Sequence, residues 1–308
     1  MILTAGLTPA WQQILVFDAF RFGEVNRARE ARWCASGKVF NAGIAAHRLG
    51  GPSLTLATVG GPPLAEINRE FDAIGVPRRW VITQSATRVC TTILDRATHR
   101  ITELVENGRP LGTAEIDEFR RAYAEEAAKA EVAVIIGSLP AGTPESLYRE
   151  LVQCTPCPVV LDFRGPGLLD ALEFKPLVVK PNREELGRTI NRPLATDEDL
   201  LEAMRSLNAR GAQWVVITQG EGPVWVTSAT KTYRLSPPEA EEIVNPIGCG
   251  DAMAATIAWA TRAGRDMVEA VRLGVAVAGE NLRQLFPCRF DTSRLAQRAE
   301  LVEVKEVA

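Results

Sequence analysis

The sequence predicts an α/β fold, a mostly parallel sheet covered by helices on both faces. Two observations carry this reading. Short, nearly continuous apolar runs recur at Val132–Ile136, Val159–Leu161 and Leu177–Val179, each followed by polar turn residues and then helical sequence. A strand buried on both faces reads as such a run, whereas a strand with one wet face alternates. The second observation is bulk. With 308 residues, 46% of them apolar and 24% charged, the chain can bury one large core, or a core with a small accessory unit.

Taken in order, Ile2–Ala5 reads as an opening strand, and 38–49 as a helix ended by Gly50-Gly51. Leu54–Val59 is a second strand. The charged helix 114–130 leads into Val132–Ile136, which stops at the turn Gly137-Ser138-Leu139-Pro140. A helix near 197–210 precedes the strand Trp214–Thr218. Ala252–Arg262 and Met267–Leu285 read as two long helices broken at Gly264, and Ser236–Glu242 as a surface turn.

Two regions break the rhythm. Residues 12–35 carry Ile14, Val16, Phe20, Phe22, Val25 and Trp33 between polar residues, and 88–104 alternate through Val89, Ile93, Leu94 and Ile101. Both read as strands with one exposed face, forming a small sheet beside the main one. Such a sheet suits a lid, a dimer surface or both; peripheral hairpins are the plainer alternative.

The charge balance excludes some functions. Against 38 Asp plus Glu stand 35 Lys plus Arg, a net charge of −3, so no broad field awaits a nucleic acid. No apolar run approaches a membrane span, and the opening residues lack a secretory pattern, so a cytoplasmic protein is expected. Six scattered cysteines form no disulfide framework. Cys154 and Cys157 have the spacing of a redox pair but precede a strand rather than open a helix. His47 and His99 are too isolated to suggest structural zinc.

The sharpest chemical signal is Asn245-Pro246-Ile247-Gly248-Cys249-Gly250-Asp251, running straight into an apolar helix. Glycines there permit close backbone approach, and amides at a helix start receive anions. Asp251 beside them can accept a hydroxyl proton while the amides stabilise phosphoryl oxygens. Taken alone, it fits a helix N-cap equally well. Lys180-Pro181-Asn182-Arg183-Glu184-Glu185 follows a buried strand, at the end where α/β proteins place ligands. Lys180 can meet phosphate, and Asn182 with Glu185 can place magnesium; a solvated helix start is the alternative. Gly37-Lys38-Val39-Phe40-Asn41 is a glycine turn feeding a helix, without P-loop spacing. Lys38 and Asn41 there, with Arg88 on a candidate lid strand, make a weak case for a phosphorylated ligand.

In this order, these segments resemble the ribokinase-like sugar kinases of the PfkB family, most closely its branch of 1-phosphofructokinases and tagatose-6-phosphate kinases. Asn245–Asp251 resembles the signature N-T-x-G-A-G-D, which implies Asp251 as catalytic base, with Gly248, Cys249 and Gly250 forming the anion hole. Leu161-Asp162 through Lys180-Pro181-Asn182-Arg183-Glu184-Glu185-Leu186 resembles L-D…K-P-N-x-x-E-L. By that match Lys180 and Asn182 lie near ATP, and Asn182 and Glu185 near magnesium. Thr218, Gly220 and Gly222 resemble the nucleotide-side loop, and Asn281 falls with them. Gly23–Ala28 is similar to G-x-V-N-R-A, Gly37-Lys38…Asn41 to G-K-G-x-N, Thr87-Arg88 to the T-R pair, and Ile136–Gly142 to S-G-S-L-P-x-G. The resemblance implies that Gly37, Lys38, Asn41, Arg88 and Ser138 contact a phosphosugar. It also implies a Rossmann-like domain over 1–308 with a discontinuous β lid near 12–35 and 88–104, through which many members dimerise.

The departures fall on the sugar side. Gln12 replaces the Asp of the family opening, Thr8 its Asn, Val39 a glycine, and Cys90 a common Asn. An amide donates and accepts but cannot form the same charge-assisted pair. The reading is an ATP- and magnesium-dependent kinase converting fructose 1-phosphate or tagatose 6-phosphate to a bisphosphate. A kinase for a nonphosphorylated sugar or nucleoside, or a noncatalytic phosphosugar-binding regulator, remains the alternative.

Overall fold

The structure is a computed structural model, and it describes residues 1–307. Ten of the described strands form one sheet in the order β14-β13-β12-β11-β10-β9-β8-β1-β4-β5. They are β1 (Ile2–Gly6), β4 (Ser53–Gly60), β5 (Arg78–Thr83), β8 (Val132–Ile136), β9 (Val159–Asp162), β10 (Val178–Val179), β11 (Trp214–Ile217), β12 (Val224–Thr227), β13 (Thr232–Ser236) and β14 (Glu303–Val307). From β11 to β5 every pairing is parallel; the last three strands are antiparallel. The other four strands, β2 (Ala10–Phe17), β3 (Glu30–Ser36), β6 (Arg88–Asp95) and β7 (Arg100–Val105), make the small sheet, in the order β3-β2-β6-β7. Its central pair β2–β6 is parallel and its outer pairs antiparallel.

Helices are α1 (Lys38–Arg48), α2 (Leu64–Ile74), α3 (Thr113–Ala127), α4 (Leu147–Gln153), α5 (Pro166–Ala171), α6 (Arg183–Thr189), α7 (Asp197–Ala209), α8 (Cys249–Arg262), α9 (Met267–Leu282) and α10 (Leu295–Glu300). Two apolar clusters line opposite faces of the main sheet. One packs Val132, Val134 and Ile136 against α1, α8 and α9; the other packs Ala133 and Ile135 against α3, α4 and α7. Alternate residues of one strand thus feed both layers, which is why β8 is apolar throughout. No described helix is long and apolar enough to cross a membrane.

The expected small sheet is present over parts of the two irregular regions. Strand structure stops at Phe17, however, and residues 18–29 form a loop in which Phe22 and Val25 are 98% and 88% exposed. The Asn26 carboxamide closes that turn, accepting from the Arg21 amide at 2.8 Å and donating to the Arg21 carbonyl at 2.7 Å. Apolar spacing there reflects no buried face.

The small sheet joins the main domain at Gly37, which precedes α1 with φ 83°. A Cβ at this position would lie 2.8 Å from the Ala10 amide nitrogen and 3.0 Å from the Thr8 carbonyl oxygen. Gly37→Ala is therefore expected to cost roughly 1–3 kcal/mol, from the positive φ and the contact with rigid backbone. The shift in urea midpoint at constant m-value measures it; no shift would mean that the turn relaxes freely.

Candidate active site

The carboxyl ends of the parallel strands converge on a buried charge cluster. Asp162, the last residue of β9, is buried and accepts from Lys38 Nζ at 2.9 Å through Oδ1. Lys180, one residue beyond β10, is buried on its other side, with Nζ 2.9 Å from Asp162 Oδ2 but off the hydrogen-bonding direction. Lys38 Nζ also donates to Glu185 Oε1 at 3.2 Å. Burial raises the Asp162 carboxyl pKa, but Lys180 and Lys38 outweigh it and hold the group below its ordinary range. Burial alone would also lower the Lys38 pKa; Asp162, Glu185 and Asp251 together hold it above the usual value.

Asp251 completes the cluster. Gly248, in the left-handed conformation at φ 87°, is the N-cap of α8, and Asp251 is its third helical residue. The N-cap alternative for Asp251 is thus corrected: no side chain caps this helix. The Cys249 amide reaches the Pro246 carbonyl at 3.3 Å and the Ala252 amide the Gly248 carbonyl at 2.8 Å. The Gly248, Gly250 and Asp251 amides have no backbone partner among the described residues, so they are donors available to an anion. A Cβ on Gly250 would stand 3.5 Å from Lys180 Nζ, which places that ammonium beside them.

The Asp251 carboxylate accepts from Asn41 Nδ2 at 2.8 Å, and Asn41 Oδ1 accepts from Ser36 Oγ at 3.1 Å. Its pKa is pushed up from 3.8 to about 6, chiefly by burial; Asp162 adds to the rise, while Lys38, Asn41 and Lys180 oppose it. Two ammonium groups here face three carboxylates, and Asp162 and Glu185 already take their direct contacts.

Several of the expected residues also hold their neighbours in place. Asn41, expected at the sugar, has its carboxamide committed to Asp251 and Ser36. Asn281 donates to the Ile247 carbonyl at 2.9 Å and to Cys249 Sγ at 3.2 Å, and accepts from the Cys288 amide at 2.6 Å. It braces the glycine loop from behind. Arg88 does not meet Lys38: its Nε, Nη1 and Nη2 donate to the carbonyls of Pro9, Glu106 and Thr8 at 3.3, 3.0 and 3.0 Å. Asn182 caps α6, accepting from the Glu185 amide at 2.7 Å while Glu185 Oε2 accepts from the Asn182 amide at 3.0 Å. Both are thereby fixed at the crevice edge, as the helix-start alternative describes. Val39 is buried in the core, where a Cβ on Gly6 would come within 3.0 Å of its own Cβ, so it does not intrude on the crevice. Ser138 lies at the end of β8, where its carbonyl and hydroxyl contact Thr8 Oγ1 at 3.1 and 3.3 Å.

Thr218 and Gly220 line an open cleft of about 720 Å³ with Asn182, Arg183 and Gln219, beside the cluster rather than over Asp251. Gly222 donates its amide to the Gln219 carbonyl at 3.1 Å and shapes that loop. Magnesium takes one or two carboxylates, waters and substrate phosphates rather than an all-protein cage. Glu185, half-buried at the crevice edge, suits that role; the described residues form no cluster of three metal-ligating side chains.

Two groups of residues escaped sequence reasoning. Asp162 was visible only as part of Leu161-Asp162, although a carboxylate at the end of a buried parallel strand is itself a signal. The second is a clamp at the root of the small sheet: Glu70 accepts from the Ala35 amide at 2.5 Å and pairs with Arg289, which donates to the Ala35 carbonyl at 2.9 Å. No local pattern announces it.

A parallel α/β sheet bearing a buried carboxylate and free amides at one helix start, with two lysines close by, suits a phosphotransferase with a hydroxyl acceptor. The sequence profile described as pfkB family carbohydrate kinase matches residues 7–285, and the chain belongs to that family. It is 33% identical to the 1-phosphofructokinase of Rhodobacter capsulatus over 309 aligned positions, covering 99% of this chain and 97% of the relative. A possible 1-phosphofructokinase from Thermotoga maritima superposes with TM-score 0.89 at 24% identity, covering 100% of this chain and 99% of that one. The tetrameric inhibited form of Escherichia coli phosphofructokinase-2 superposes with TM-score 0.87 at 21% identity, covering 97% and 98%. These two structures share the fold. The protein is a sugar kinase of a family that uses ATP.

The raised Asp251 pKa has a stability consequence. The folded state holds this proton more tightly than the unfolded chain, so the buried carboxylate costs nothing at low pH. The cost grows from about pH 4 to about pH 6 and persists above it. At roughly 1.4 kcal/mol per pKa unit the full cost is on the order of 2–3 kcal/mol. Asp251→Asn, which keeps an acceptor for Asn41, is expected to raise Tm at pH 8 and lose that advantage towards pH 4.5. A pH-independent difference in Tm would refute the assignment.

Proposed function

We propose that the protein transfers the γ-phosphoryl group of ATP to the free primary hydroxyl of fructose 1-phosphate, giving fructose 1,6-bisphosphate. The observation that carries this is Asp251, buried beside unpartnered amides with its pKa pushed up to about 6. The near full-length similarity to a 1-phosphofructokinase supports fructose 1-phosphate over tagatose 6-phosphate. In the proposed reaction Asp251 accepts the hydroxyl proton as the oxygen attacks the γ-phosphorus. The bond to the β-phosphate oxygen breaks, and ADP leaves with that electron pair. Amides of Gly250 and Asp251 stabilise the transferring oxygens, with the Lys180 ammonium behind them. Glu185 and Asn182 would hold, at the crevice edge, the waters of a magnesium ion carried in with ATP, an ion that would supply neutralisation of phosphate charge. Lys38 and Ser138 face the acceptor, and the small sheet acts as a lid that excludes water. We place the enzyme in the cytoplasm as a homodimer joined through the lid. The exposed face of the small sheet favours this arrangement, with Trp33 on β3 at one edge and Leu104 on β7 at the other both standing in solvent.

Purified protein with magnesium and ATP is expected to phosphorylate fructose 1-phosphate in preference to fructose 6-phosphate, tagatose 6-phosphate, free hexoses and nucleosides. Product mass identifies the acceptor, and turnover confined to another acceptor would overturn the assignment. The rate constant kcat should rise with pH through about 6, because the base works only when ionised. Asp251→Asn should lower kcat by about 10²–10⁴ with ATP binding retained. Unchanged turnover would remove Asp251 from the mechanism.

A further inference from the structure

The inner face of the lid holds a pair of side chains that no step of the proposed reaction uses. Ser36, Ala10 and Arg88 lie in register across β3, β2 and β6, and the next row on the same face is Cys34, Gln12 and Cys90. Ser36 reaches Asn41, and through it Asp251, so this face looks into the crevice. Gln12 is buried, yet only one end of its carboxamide is engaged. Nε2 donates to the Thr92 hydroxyl at 2.6 Å, and Thr92 is itself buried. Gln12 Oε1 takes no hydrogen bond from any described residue, yet it is not among the buried polar atoms sealed without a partner. It is therefore reachable from solvent, on the sheet face that Ser36 shares. A carboxamide has one donating and one accepting end, and with the donor held on Thr92 the accepting end is left for a ligand. Fixing that choice beforehand removes rotamer freedom that binding would otherwise have to freeze.

We propose that Thr92 is a positioning residue for acceptor recognition: its hydroxyl fixes the Gln12 carboxamide so that Oε1 accepts a hydrogen bond from a hydroxyl of the phosphosugar. The proposal rests on the phosphosugar-kinase reading, which it deepens. Thr92 touches no substrate; it acts through Gln12. The neighbours of Gln12 in its row are thiols, so within that row the carboxamide is the only strong hydrogen-bonding side chain. Loss of its orientation is felt in sugar affinity and not in the phosphoryl-transfer groups at the far wall.

The test compares fructose 1-phosphate binding, by titration calorimetry, in the wild type, Thr92→Val, Thr92→Ser, Gln12→Ala and the Gln12→Ala/Thr92→Val double variant. Thr92→Val keeps the shape and removes the hydroxyl. It is expected to weaken binding about tenfold and raise the sugar KM similarly, with the ATP KM unchanged. Thr92→Ser restores both, and in the Gln12→Ala background the valine adds nothing, because coupled residues are not additive. Should Thr92→Val fail to fold, Thr92→Cys, a poorer acceptor of similar size, replaces it. Wild-type affinity in the folded Thr92 variant, or additive losses in the double variant, overturns the proposal. A wild type that binds fructose 1-phosphate without phosphorylating it defeats the kinase reading alone. A wild type that binds neither fructose 1-phosphate, tagatose 6-phosphate nor free fructose defeats the Thr92 proposal as well.

Discussion

The structure of the crevice depends on one buried carboxylate. Asp162 sits at the end of β9 and takes an ammonium group on each side, Lys38 from the start of α1 and Lys180 from the end of β10. Burying such ions costs several kcal/mol each, and only mutual contact makes the burial tolerable. The geometry of the three chain segments is consequently rigid. Glu185 joins through Lys38 and ties in the start of α6. Asp251 is buried beside cations that already hold closer carboxylates, so burial disfavours its charged form more than those cations restore it. Its readiness to take a proton is a property of the whole cluster.

Much of the scaffold was legible because it follows from burial alone. Val132–Ile136 coincides with β8 to the residue, since a strand fed into two apolar layers has no polar positions to blur its ends. The glycine loop before α8 was legible for a similar reason: the positive φ of Gly248 leaves little choice of residue. β14 was not read, because it is an outer strand whose residues Glu303–Glu306 are exposed and resemble any charged surface segment. Residues 18–29 misled in the opposite sense, their apolar side chains standing in solvent around an Asn-closed turn.

The site divides along the same line. Residue types and order marked Lys38, Lys180, Glu185 and Asp251, and the fold brings all four together. Pairwise commitments were invisible, because Asn41 and Asp251 are 210 residues apart and Lys38 and Asp162 are 124 apart. No local pattern says that Asn41 spends its amide on the carboxylate, that Asn281 braces a loop, or that Arg88 serves three carbonyls. Each of these polar groups has the chemistry to bind a ligand, and each also holds its neighbours in place. The substitutions on the sugar side divide likewise. Val39 disappears into the core, while Gln12 remains in the crevice wall.

The stacked indoles of Trp11 and Trp33, with ring planes 15° apart, join β2 to β3 within the small sheet. Two chromophores this close share their excitation, which splits their absorption into a pair of circular dichroism bands of opposite sign. The splitting varies with the angle and separation of the rings, so it follows the registry of those two strands and, through Trp11, their seat against the main core. The other indoles, Trp80, Trp214, Trp225 and Trp259, belong to the main domain. The order of the small sheet is therefore written into the optical spectrum of the unlabelled protein, together with its seating on the core beneath it.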